Sequence, residues 1–118
     1  MKTISTILFL MLAVTAAYSS SKPEVLLSSP EIDVVTVESL AIFKSTSFDT
    51  QSENLIFETK GNISVIQIFN TNNELQFQLP VMSSNVQIHK NLFEIGDYKV
   101  GFILEGDTKV YFTKVKIK

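Results

Sequence analysis

The chain has 118 residues, with twelve Asp and Glu against ten Lys, no Arg and no Cys. A net charge of −2 without any Arg speaks against nucleic acid as a partner, because such binders concentrate basic side chains to neutralise phosphate. Zero Cys excludes a disulfide framework, thiolate metal sites and thiol nucleophiles, so a domain of about 100 residues has to stand on packing alone.

At the start of the chain Lys2 precedes a short apolar run, Ile7 to Val14, and the small residues Thr15, Ala16 and Ala17. This is the form of a secretory signal peptide, residues 1–21, with cleavage between 17 and 21. The run is shorter than the roughly 20 apolar residues of a membrane helix, so the mature form is expected to have no membrane span. No Cys follows it to carry a lipid anchor. Residues 22–118 are expected to form one exported domain, periplasmic, at the cell surface or secreted.

Pro23 and Pro30 argue against helix near the mature start, and Val25 to Leu27 reads as a short strand. Ile32 to Phe43 reads as two strands with a break near Glu38-Ser39. The polar, Ser- and Thr-rich stretch Lys44 to Asn54 reads as a loop. Leu55 and Phe57 alternate with Ile56 and Glu58 in a strand that is expected to end at Lys60-Gly61-Asn62. Ile63 to Phe69 is apolar in both phases, as in a central strand covered on both faces.

Asn70 to Asn73 supplies a turn of residues that tolerate left-handed backbone. Leu75, Phe77 and Leu79 alternate with Gln76 and Gln78, the pattern of a half-buried strand, and Pro80 is expected to close it. After a loop at Val81 to Ser84, Val86 and Ile88 point one way and Gln87 and His89 the other. Leu92, Phe93 and Ile95 lead into Gly96.

The last stretch gives the clearest signal. Tyr98, Val100, Phe102 and Leu104 share a face at period 2, Glu105 to Thr108 reverses the chain, and Val110 begins the return. Val110 and Phe112 lie in one phase and Val115 and Ile117 in the other, which calls for a bulge near Thr113-Lys114 or for burial on both faces. Lys114, Lys116 and Lys118 share a face expected in water, where they discourage edge-to-edge aggregation. The whole reads as all-β: a single immunoglobulin-like antiparallel β-sandwich of about seven strands.

Groups that carry chemistry are sparse. His89 is the single histidine and has neither Cys nor a second His to complete a metal site. Glu58, Glu74, Glu94 and Asp97 are carboxylates without a spacing that pairs them for glycoside hydrolysis. No Gly-x-Ser-x-Gly elbow is present, and four glycines are too few for a phosphate loop. Phe69, Phe77, Tyr98 and Tyr111 read as core aromatics ahead of a ligand platform. No catalysis, cofactor or metal is expected.

The order of motifs over residues 54–118 resembles the C-terminal sorting domains of the Bacteroidetes type IX secretion system, and a group of small stand-alone exported Bacteroidetes domains. The resemblance rests on ISVIQIFNTNN, ELQFQL and VQIHKNL, then Gly96-x-Tyr98, a long strand, a hairpin and a Lys-rich last strand. It carries structural motif roles to Asn70, Asn73, Gly96, Tyr98, Lys114, Lys116 and Lys118. Asn replaces the family's usual Asp at 70 and its turn Gly at 73, and Leu92 to Ile95 replaces its Leu-Pro approach. Together with the residue pattern, the resemblance implies a non-catalytic module that binds or assembles at the bacterial envelope, with a protein partner there or in the secretion machinery. Two alternatives stand beside it: a sorting domain read by that machinery, and a small protease inhibitor presenting the loop Ser45 to Asn54.

Overall fold

Alternating apolar side chains build seven strands in the computed structural model, which describes residues 24–37 and 42–118. They are β1 (Val25–Ser28), β2 (Ile32–Thr36), β3 (Phe43–Asp49), β4 (Asn54–Phe69), β5 (Leu75–His89), β6 (Gly96–Leu104) and β7 (Val110–Ile117), with a 3-10 turn at Lys90–Leu92. Every pairing is antiparallel, and hydrogen bonds join all seven strands into one sheet. The sheet nearly closes, because β1 at one end comes beside β3 at the other. The expected signal peptide and the expected break at Glu38-Ser39 lie outside the described residues.

The all-β expectation holds, but several boundaries move. Lys44 to Asp49 is strand rather than loop and pairs with Asn54 to Glu58. The backbone does not stop at Lys60-Gly61-Asn62, so the two expected strands are one strand of 16 residues. Pro80 and Val81 to Ser84 likewise lie within a single strand of 15 residues. The cause is the same in both cases: β4 and β5 run side by side past the local breakers, and their ladder resumes on the far side.

β4 organises the layers. One of its edges carries β5 along nearly its whole length, while the other is shared end to end by β3, against Asn54 to Thr59, and β6, against Ile63 to Phe69. Leu55, Phe57, Thr59 and Ile63 face the core in one phase, and Ile66 and Ile68 in the other. The phase changes at the irregularity between Ile63 and Val65, where Ser64 Oγ donates to Ile103 O at 3.2 Å. Such a bulge re-aims the chain, so one strand presents apolar side chains inward from both layers. At the crossing, buried Thr59 donates its hydroxyl to Gly61 O at 2.7 Å, with Ser84 O at 3.2 Å. These carbonyls lie where the β4–β5 ladder is interrupted, and a buried C=O needs a partner.

Across the core, Phe57 of β4 meets Phe102 of β6 at 4.9 Å between ring centroids, and Phe43 of β3 meets Phe102 at 5.0 Å. Both contacts are edge-to-face, the favoured aromatic arrangement. The aliphatic core around them draws on β2, β4, β5, β6 and β7. Tyr98, Val100, Phe102 and Leu104 face this core as expected.

β7 runs in unbroken register from Gly96 opposite Ile117 to Ile103 opposite Val110, so no bulge occurs at Thr113-Lys114. Both faces are covered instead. Tyr111, Thr113, Val115 and Ile117 point inward, while Val110 and Phe112 lie over Gly101 on the outer face. A Cβ at Gly101 would sit 2.7 Å from Val110 Cγ1 and 3.0 Å from Phe112 Cε1.

Replacing Gly101 with Ala is therefore expected to destabilise the fold by about 1–3 kcal/mol, the usual cost of overpacking. Phe102→Ala empties the aromatic centre and is expected to cost about 3–5 kcal/mol. Urea unfolding monitored by circular dichroism measures both.

Candidate functional site

The feature least accounted for by packing is the outer edge of β5. Among the described residues β5 pairs with β4 alone, so its far edge presents N–H and C=O groups that no strand takes up. Natural edges are normally short or carry charges that repel a second strand. This one is 15 residues long and has no Asp, Glu, Lys or Arg from Leu75 to His89. Apolar side chains stand in solvent along it: Leu75 is 49 % exposed, Phe77 36 % and Met82 64 %.

Two interruptions shape the edge. Pro80, opposite Val65, has no N–H to donate, and Met82 has a left-handed backbone with φ 55°. They leave two extended runs, Leu75 to Leu79 and Ser83 to Ile88. The second run is apolar only toward the core, where Val86 and Ile88 are fully buried. Its outward face is polar, with Asn54 Nδ2 donating to Gln87 Oε1 at 3.1 Å and Gln87 Nε2 to Asn85 Oδ1 at 2.8 Å. The first run is apolar and exposed, and its Gln78 accepts from Gln67 Nε2 on β4 at 2.9 Å.

A second feature is a cleft of about 550 Å³ on the outer face of β2, β7 and β6, beneath the β4–β5 turn. Its floor is a checkerboard of charge. Lys116 stands between Asp33 and Asp97 on the neighbouring strands, and Lys114 between Val35 and Lys99. Lys99 reaches over the Phe112 ring at 4.9 Å from its centroid. The acids flanking Lys116 offset the basic character that the last strand shows in sequence, so the cleft is not a uniform anion site.

The residues singled out by sequence have local structural roles. Asn70 Oδ1 accepts from Asn72 N at 2.9 Å and Glu74 N at 3.0 Å, and Asn73 takes the left-handed conformation, φ 62°. Together they close the β4–β5 turn with side-chain chemistry in place of Asp and Gly. Gly96, φ 139°, opens β6 in a conformation that favours glycine. Tyr98 stacks edge-on against Phe93 at 4.9 Å, and its hydroxyl accepts from Glu94 N at 2.9 Å. Lys114 and Lys116 are exposed.

Lys118 Nζ lies 2.9 Å from Asp33 Oδ1 and donates to Ser29 O at 2.9 Å, tying the end of β7 to the start of β2. The Asp33 oxygen is shielded from water, and the lysine charge compensates it in place of an aligned hydrogen bond.

The other candidates stay apart. His89 is half-buried, and its Nδ1 accepts from Asn91 N at 3.1 Å, capping the 3-10 turn. Glu58 accepts from Ser45 Oγ at 3.1 Å and Glu74 from Asn70 Nδ2 at 3.0 Å, each on its own segment. Among the described residues no three His, Cys, Asp or Glu gather as metal ligands, and no helix is long and apolar enough to cross a membrane. Phe69 meets Phe112 on the outer face, Tyr98 and Tyr111 pack on the core, and Phe77 lies on the β5 edge, so the four aromatics do not share one surface. In the expected inhibitory loop Ser45 to Asn54, Ser45 to Asp49 is β3, Thr50 to Glu53 is the turn and Asn54 begins β4.

Sequence reasoning missed the edge because it ended a strand at Pro80. A proline inside a strand is itself an edge signal.

The Lys118 ammonium beside Asp33 holds its carboxyl below the usual carboxylate range. A depressed folded pKa contributes stability above the unfolded pKa of about 3.9 and loses it as pH falls through the folded value. Asp33→Asn is thus expected to lower the urea midpoint at pH 7, with the gap to wild type closing on acidification below that range. Comparison with known family models, curated proteins and solved structures finds no match for the chain.

Proposed function

We propose that this chain is a non-catalytic, exported β-sandwich module that binds or assembles at the bacterial envelope by adding a protein strand to the open edge of β5. In this mode main-chain hydrogen bonds supply affinity, and the alternating side chains of the added strand supply specificity. The observation that carries it is a 15-residue edge strand without a charged residue and with Leu75, Phe77 and Met82 exposed along it. An edge of this kind is an aggregation hazard unless something covers it, and a strand of suitable pattern does so. Export is supported by the apolar leader after Lys2.

A photo-crosslinking residue at position 77, expressed in the native host, is expected to trap a protein adduct. The same residue at position 116, in the charged cleft, is expected to give at least about tenfold less, because each cross-strand neighbour contributes only when it lies in the ladder. Equal adducts at 116, or none at 77, would move the interface away from β5.

A further inference from the structure

We infer that the cleft beneath the β4–β5 turn receives a phosphate monoester group, held by the ammonium groups of Lys99 and Lys114. The inference stands on other residues than the open edge of β5 and does not depend on it. Its basis is one row of side chains across the outer face. Phe69 lies opposite Lys99, Lys99 opposite Lys114, and Lys114 opposite Val35. Two cations are thus direct cross-strand neighbours, with an aromatic side chain on one flank and an aliphatic one on the other. Like charges placed opposite each other in a sheet are destabilising. The adjacent row shows the usual remedy, since Lys116 stands there between Asp33 and Asp97.

Neither lysine of the pair has an acid of its own: among the described residues neither forms an ion pair. Lys99 is half-buried, and its Nζ lies over the Phe112 ring at 4.9 Å from the centroid. An aromatic face attracts the ammonium without cancelling its charge. The nearby acids are engaged elsewhere. Asp33 is paired with Lys118 at 2.9 Å, and Glu74, on the overhanging turn, accepts from Asn70 Nδ2 at 3.0 Å. Two positive charges therefore stand side by side on the floor of a cleft of about 550 Å³.

Charge complementarity selects the ligand. A carboxylate would neutralise one lysine of the two, whereas a phosphate monoester carries close to two negative charges at neutral pH and offers three acceptor oxygens. Lysine serves phosphate as a point charge on a flexible stem, so two of them converge on one group without the fixed geometry that Arg imposes. Thr71 and Asn73 of the turn also line the cleft and add a hydroxyl and an amide donor. The turn is held in place from within, because Asn70 Oδ1 accepts from Asn72 N and Glu74 N. Asp33 and Asp97, one row away, repel a second phosphate, which favours a single isolated group over a polyphosphate or a nucleic-acid backbone.

The test is an amide chemical-shift titration of the full chain with inorganic phosphate, glycerol phosphate and acetate at constant ionic strength, with vesicles containing phosphatidic acid as a separate arm. Both phosphates are expected to shift the amides of β6, β7 and the β4–β5 turn, with acetate binding at least about threefold more weakly. Lys99→Gln or Lys114→Gln should each raise the dissociation constant for phosphate at least about threefold, and the double variant at least about tenfold. Lys44→Gln, which removes the same charge from exposed β3, should leave it within about twofold. Without phosphate, Lys114→Gln should unfold at the same or a higher urea concentration than wild type, because it relieves the like-charge pair; this separates loss of a ligand site from loss of the fold.

Binding of the soluble esters places the group on a small molecule, and binding of the vesicles alone, abolished by Lys114→Gln, places it on a lipid headgroup; either result supports the site. No binding in any arm overturns it. Equal weakening by Lys44→Gln and Lys114→Gln marks an adventitious ion only and overturns it as well, and acetate binding as tightly as phosphate overturns the choice of a dianion. None of these results bears on crosslinking at position 77, so the open-edge function stands or falls separately.

Discussion

The fold depends on one strand serving two layers. β4 is 16 residues long, and its apolar side chains change phase between Ile63 and Ile66, so it faces a single core from both sides of the crossing. Without the phase change, half of its Leu, Ile and Phe side chains would turn to solvent, because a one-residue slip inverts every side chain in a strand. Thr59 satisfies the carbonyls left open at the corner, and Ser64 bonds across to β6. A chain without Cys gains its coherence here: β3 on one side of the crossing is held to β6, β7 and β2 on the other through a shared backbone, with β5 running along both halves.

The open edge follows from the same arrangement. β3 and β6 together fill one side of β4, and β5 fills the other, so β5 is left with a single neighbour along its length. Among the described residues no strand lies beyond β5, so its second side stays open. The fold protects its other features locally: Val110 and Phe112 shield Gly101, and Lys116 of β7 stands between Asp33 and Asp97 on the outer face. β5 receives no comparable treatment. Its uncharged, apolar first run is thus the place where the structure departs from what a solitary soluble sheet requires.

The C-terminal hairpin was legible in the sequence because its pattern is local: period-2 alternation, a Gly-Asp turn and one continuous register. Burial on both faces of β7 was legible too, as one of two ways to reconcile Phe112 with Val115. The long strands were not. Lys60-Gly61-Asn62 and Pro80 are turn signals judged over a few residues, whereas the strands that contain them are held by partners 20 or so residues away, and tertiary pairing overrides local preference. Lys44 to Asp49 failed as a strand for a related reason. β3 lies at the margin, so Lys44, Ser45 and Ser47 face water and the segment lacks apolar alternation over most of its length. Of the site, the residues were visible but not their exposure: Leu75 and Phe77 have the alternation of a buried face in sequence, yet among the described residues no strand beyond β5 covers them.

Native-state amide hydrogen exchange tests the organising role of β4 most directly. The two halves of the strand, Leu55 to Thr59 and Ile63 to Phe69, are expected to share the slowest exchange in the molecule and to open with one common free energy, because a single strand joins the layers. If the first half, with β3 and the end of β5, exchanged at a distinctly lower opening energy than the second half with β6 and β7, the layers would be separate units and the account would be contradicted.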